Sequence, residues 1–105
     1  MYLVIFMKII KANTFKTKLL GLMFKKNINY GLLIINCKSI HTFFMKENID
    51  VILLDKNNKI LKINRNIKPN KIIIFKTKKR TNILDLPNNS SLNLKINKVI
   101  DFNNL

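Results

Sequence analysis

Residues 49–67 read Ile49-Asp50-Val51-Ile52-Leu53-Leu54-Asp55-Lys56-Asn57-Asn58-Lys59-Ile60-Leu61-Lys62-Ile63-Asn64-Arg65-Asn66-Ile67, and this stretch decides the fold. Its first half is a short apolar run closed by turn-forming residues, the pattern of a buried strand. Its second half is apolar beside the turn and then alternates, with Ile60, Lys62 and Asn64 set against Leu61, Ile63 and Arg65, as a half-buried strand does. Between them, Asn57 and Asn58 tolerate the positive φ angles that tight hairpin turns require. The stretch therefore predicts a β-hairpin.

Working outward, the same two-residue rhythm recurs. Gly31–Asn36, Ile40–Met45, Lys71–Phe75, Asn82–Leu86 and Leu92–Phe102 each predict a strand, as does Tyr2–Ala12 nearer the start. The chain has only Gly21, Gly31, Pro69 and Pro87 as strong punctuators, so asparagine carries most of the turns. Short strands at intervals of roughly ten residues, with no room for βαβ crossovers, predict a mostly β fold, a small antiparallel barrel or sandwich. One segment departs from the rhythm. In residues 14–24 the apolar side chains Phe15, Leu19, Leu22 and Met23 fall at helical spacing, with Asn13 or Thr14 available as a cap. A short helix is expected there. Gly21 within it costs about 1 kcal/mol against alanine, which marks close backbone approach or the helix end.

The 105 residues and 48% apolar content suit one domain, 1–105, with a core that needs no staples. If Met7 is the start, residues 1–6 are a dispensable extension; 103–105 are expected to fray. Cys37 is the only cysteine, so no internal disulfide forms and a reducing compartment is the simpler reading. The longest apolar run, Tyr2–Met7, is far below the ~20 residues of a membrane-spanning helix. It also lacks the layout of a secretion signal. A cytoplasmic monomer without cofactor is expected.

The formal net charge is +15. It points to an anionic partner, nucleic acid or an acidic membrane surface. Against this, Lys, Ile and Asn make up about half the chain, and the only arginines are Arg65 and Arg80. That bias fits compositional drift better than a selected phosphate site, which usually recruits arginine. Weak, salt-sensitive binding to polyanions follows in either case.

Cys37 and His41, the only thiol and the only imidazole, lie four apart and would share a face of one strand. They could be a nucleophile with its base, or two metal ligands. Two residues do not complete a zinc site, however, and a buried thiol beside a hydrogen-bonded histidine is the simpler outcome. Asp50 and Asp85 each interrupt an apolar strand. An inward-facing one requires a partner, with Lys46, Arg65 and Arg80 as candidates, and a structural pair is expected over a catalytic acid. Phe43-Phe44-Met45-Lys46 sets two aromatics and a thioether beside a cation, which suits a ligand wall, a stacking platform or plain core packing. No phosphate loop, metal-ligand spacing or paired-carboxylate motif occurs.

These motifs, in order, resemble the family known as domain of unknown function 192. Lys18-Leu19-Leu20-Gly21-Leu22-Met23-Phe24 is similar to its R-x-x-G-L-M-F helix, and Gly31-Leu32-Leu33-Ile34 to its G-M/L-L-F strand. Ser39-Ile40-His41-Thr42-Phe43-Phe44-Met45-Lys46, followed by Ile49-Asp50-Val51-Ile52-Leu53-Leu54-Asp55, resembles its most specific stretch, with Asn48 in place of proline. Lys68-Pro69 resembles its K-P pair. Arg80–Pro87 resembles A-x-x-V-L-E-L-P, and Asn88-Asn89 replaces the Ala-Gly that follows. Ile96–Ile100 resembles V-G-D-x-I without the glycine and the acid. The resemblance implies a compact β barrel or sandwich carrying one short helix, and no established activity. Its motif points to His41, Phe44, Met45, Lys46, Asp50 and Asp85 as ligand-binding candidates.

Three functional classes follow. The leading one is a non-enzymatic module that holds a small ligand or protein partner near Phe44–Lys46. The second is a nucleic-acid or ribosome-associated protein. The third is an enzyme using His41 with Asp50 or Cys37.

Overall fold

The computed structural model describes residues 2–5, 7–14 and 21–102. Nine strands occur among them: β1 (Tyr2–Val4), β2 (Ile9–Ala12), β3 (Gly31–Ile34), β4 (Ser39–His41), β5 (Ile49–Asp55), β6 (Ile60–Ile67), β7 (Ile72–Ile74), β8 (Thr81–Pro87) and β9 (Val99–Asp101). The fold is mostly β, as the rhythm predicts. The strands form open sheets: a central five-stranded sheet in the order β2-β3-β8-β5-β6, flanked by the pairs β1-β9 and β4-β7.

The decisive hairpin is β5–β6, and its turn is built with one positive φ where two were expected. Asn58 has φ 65°. Its N–H donates to the Asp55 carbonyl at 3.0 Å. Asp55 Oδ1 accepts from the amides of Asn57 and Lys59 at 2.8 and 3.0 Å. The positive-φ residues are asparagines at seven positions, Asn27, Asn36, Asn58, Asn66, Asn70, Asn89 and Asn97, together with Gly21, Phe24 and Phe44. Asparagine thus takes most of the turns, as expected.

β5 and β8 lie inside the sheet and are buried along nearly their whole length, which is why Val51–Leu54 and Ile83–Leu84 are apolar on both faces instead of alternating. Their side chains feed two cores. One face carries Leu32, Val51, Leu53 and Ile83 and is closed by Leu22, Ile28, Met45 and Phe75. The other carries Leu33, Ile52, Leu84 and Leu86 and is closed by Leu94 and Ile100.

Several expectations are corrected. Residues 15–20 of the predicted helix lie outside the described residues. Residues 21–24 form a turn, in which Gly21 has φ 43°, and no helix occurs among the described residues. Tyr2–Ala12 divides into β1 and β2, whose partners are in different sheets. Both pair in parallel, β1 with β9 and β2 with β3. The stretch from Asn13 to Tyr30 exceeds the dozen or so residues that a parallel crossover needs, so the sheet is mixed. Residues 2–4 of the supposed extension are therefore strand-paired. Ile40–Met45 is a strand only to His41, because Thr42 ends it: its amide and hydroxyl bond to the backbone at Lys71 and Lys68, and its carbonyl takes the Asn70 amide. Leu92–Phe102 is a strand only at β9, since residues 91–94 close a turn through Leu94 N–H to Ser91 carbonyl at 2.9 Å. The tail 103–105 lies outside the described residues.

Candidate functional site

The loop that follows β4 begins where Thr42, fully buried, clamps the backbone. Met45 N–H donates to the Thr42 carbonyl at 3.2 Å, closing a turn with Phe44 at φ 61°. Met45 is thereby driven into the core beside Val51 and Leu32, and Phe43 and Phe44 are lifted into solvent. Phe44 is 60% exposed. Phe24 donates its N–H to the Phe44 carbonyl at 2.9 Å, and its ring stacks on that of Phe44 with centroids 5.4 Å apart. Phe24 is 62% exposed and also has positive φ, 62°. A bulky side chain in this conformation costs about 1–2 kcal/mol. An exposed stack of two rings returns about 0.5–1.5 kcal/mol. Two such residues cost more than their one stack returns, so the pair is held in place by its surroundings, and such outliers cluster at functional sites.

Those surroundings are visible. Glu47 accepts from the amides of Asn27 and Ile28 at 3.0 and 3.1 Å, which anchors the turn bearing Phe24. His41 lies on the outward side of the β4–β7 ribbon, opposite Ile72. Its Nδ1 accepts from the Phe43 amide at 3.3 Å, and the two rings stack with centroids 5.3 Å apart. Ile72 and Ile74 share that outward side and are 61% and 68% exposed. Lys46, just beyond the loop, is exposed.

The two buried aspartates are not part of this surface, nor of one another's. Asp50 opposes Leu86 and Asp85 opposes Val51, so they point to opposite faces of the sheet. Asp50 sits opposite a bulge in β6, where Arg65 and Asn66 interrupt the register. Asn66, at φ 60°, turns its amide to Asp50 Oδ1 at 2.9 Å. Asp50 Oδ2 accepts from the Ser91 hydroxyl at 2.6 Å and the Ser91 amide at 3.2 Å. Arg65, one of the three cations expected to neutralise it, reaches it through Ser91, donating to Ser91 Oγ, Ser91 O and Leu94 O. The network pins the C-terminal loop to the hairpin.

Asp85 is different. Its Oδ1 is buried with no hydrogen-bond partner, between Leu32 on β3 and Val51 on β5. Burial raises its pKa from the ordinary 3.8 to about 7. None of Lys46, Arg65 and Arg80 supplies a partner to Oδ1.

Cys37 and His41 are not joined. Cys37 precedes β4, and its thiol donates to the Ser39 carbonyl at 3.0 Å, whereas the imidazole is engaged with Phe43. Among the described residues no group of three or more His, Cys, Asp or Glu could hold a metal ion. Of the six sequence candidates, His41, Phe44 and Lys46 surround one loop. Met45 supports it from below, and Asp50 and Asp85 serve elsewhere. Phe24, Glu47, Thr42 and Ile72 are not among those candidates: Phe24 falls at the end of the predicted helix, Thr42 lies inside the 39–46 motif but brings no titratable or aromatic group, and Glu47 and Ile72 match no motif residue.

The model of the domain of unknown function 192 family, described as "Uncharacterized ACR", matches residues 5–101. The chain belongs to this family. Similar curated proteins include a UPF0127 protein of Pyrococcus horikoshii, 43% identical over 76 residues, covering 66% of this chain and 64% of that one. A UPF0127 protein of Thermococcus sibiricus is 40% identical over 60 residues, covering 51% of this chain and 39% of that one. The matched part thus spans less than two-thirds of either relative. Two solved structures share the fold. A Novosphingobium aromaticivorans protein of unknown function has TM-score 0.69 and 14% identity, covering 79% of this chain and 64% of that one. A Sinorhizobium meliloti protein, named as a candidate transcription regulator, has TM-score 0.71 and 16% identity, covering 84% and 74%. In the domain of unknown function 192 frame, the stretch 39–46 is the segment that ends β4, buries Met45 and exposes both phenylalanines.

Proposed function

We propose that this chain is a non-enzymatic binding module whose recognition surface is the loop 41–46 together with Phe24. The observation that carries the reading is the exposed Phe24–Phe44 stack, held at two positive φ angles by the Thr42 and Glu47 clamps. A solvent-exposed aromatic pair gains free energy when a partner covers it. The ionisable groups support binding over catalysis, because each is committed to a separate structural bond or buried alone: Cys37 to Ser39, His41 to Phe43, Asp50 to Ser91, Asp85 in the core. Small ligand and protein partner both fit this reading, and the +15 charge opposes self-association in favour of a monomer.

The test is titration of the labelled chain with 8-anilinonaphthalene-1-sulfonate, an anionic aromatic probe, followed by amide chemical shifts. Saturable shifts concentrated on residues 24–28, 41–46 and 71–74 are expected. Shifts that scatter over the surface, or that concentrate on the C-terminal loop, refute the assignment.

A further inference from the structure

The geometry points to an anionic membrane surface as the occupant of this face, an inference that rests on the binding-module reading and names its partner. One end of the molecule gathers Phe24 and Phe44 on one stack, Phe43 on His41, and Ile72 and Ile74 on the outward side of the β4–β7 ribbon. The backbone links are direct: Phe24 N–H to Phe44 carbonyl, and Thr42 N–H to Lys71 carbonyl. Exposed lysines interleave with these apolar groups. Lys25 and Lys26 follow Phe24, Lys46 follows Met45, Lys71 precedes Ile72, and Lys38 precedes β4.

The acids are elsewhere or occupied. Glu47 is spent on the amides of Asn27 and Ile28, and Asp55 on its own turn. Asp50 and Asp85 are buried, and Asp101 lies in β9. The face is therefore apolar at its summit and cationic around it.

The chemistry selects among polyanions. Nucleic-acid bases reward aromatic faces, but the most exposed member here is Ile74, and Ile72 is about as exposed as Phe24 and Phe44; neither isoleucine has a π-face. The rings are already stacked on protein partners. Arg65 is engaged with Ser91 and Leu94 and does not fork a phosphate at this loop. A bilayer interface accepts aliphatic and aromatic side chains alike, while lysines reach anionic headgroups from the rim. Neither term anchors a chain alone, and the two together give reversible peripheral binding. A second copy of the chain would bring another +15 charge to the same place.

The experiment is co-sedimentation of the full chain with phosphatidylcholine vesicles, with and without about one-third phosphatidylglycerol. Binding is expected only with the anionic lipid and is weakened by salt. Phe24→Ser with Phe44→Ser, or Ile72→Ser with Ile74→Ser, should lower partitioning by about tenfold or more. Leu92→Ser with Ile96→Ser removes two comparably exposed apolar side chains outside the face, and it should leave binding unchanged. The chain has no tryptophan, so Ile74→Trp provides a reporter whose emission should shift blue on anionic vesicles. Equal partitioning with neutral and anionic vesicles, an unshifted reporter, or equal losses in the two sets of variants overturns the proposal. So does tighter binding of oligothymidylate with the same dependence on Phe24 and Phe44, which would assign the face to single-stranded nucleic acid. If the dye maps to this face and vesicles do not bind, the module stands and the membrane falls.

Discussion

Replacing Asp85 by asparagine tests the physical account most sharply. The carboxyl sits at the middle of the sheet, its Oδ1 without a partner, flanked across the strands by Leu32 and Val51. Desolvation raises its pKa from 3.8 to about 7. Below about pH 4 the group is protonated in both folded and unfolded chains and adds nothing to the pH dependence. Between about 4 and 7 the unfolded chain releases the proton and the folded chain retains it, so stability falls as pH rises, by about 1.4 kcal/mol per pH unit. Above about 7 both forms are ionised and the loss is complete, up to about 4 kcal/mol, reduced by whatever relaxation admits water. Asp85→Asn keeps the shape and never ionises. Urea unfolding followed by circular dichroism, at several values from about pH 4 to 8.5, should show the variant gaining on the wild type through this window. It should be more stable by about 2–4 kcal/mol at the alkaline end. Comparing the two chains cancels the other titrating groups. A stability difference that stays constant with pH, or that moves in favour of the wild type as pH rises, refutes the reasoning.

Two further substitutions probe the frame. Asp50→Ala orphans the buried amide and hydroxyl of Ser91 and the Asn66 amide. It should cost about 3–5 kcal/mol in urea unfolding, with Asp50→Asn costing less because one acceptor oxygen remains. Gly31→Ala would place a Cβ 2.5 Å from Ile9 Cδ1 and 2.9 Å from Leu86 Cδ2. Both are side-chain ends that can shift, so a loss of about 1–3 kcal/mol is expected, read as a lower thermal midpoint with the fold retained.

What could be read from the residues alone was the β class, the central hairpin and the turn role of asparagine. These are local: alternation and turn chemistry act over a few residues, and the apolar run Val51–Leu54 of β5 announces its burial. The family followed from the ordered motifs. His41, Phe44 and Lys46 lie around one loop because they are neighbours in sequence. Pairing and direction were settled only in three dimensions. The parallel joins of β1 to β9 and β2 to β3 depend on crossovers whose local sequence carries no signature. Strand parity puts Asp50 and Asp85 on opposite faces only once the register of β5 against β8 is known. Phe24 meets Phe44, and Ser91 meets Asp50, across long separations in the chain, where contact is dictated by which cores the intervening segments close and not by any local preference.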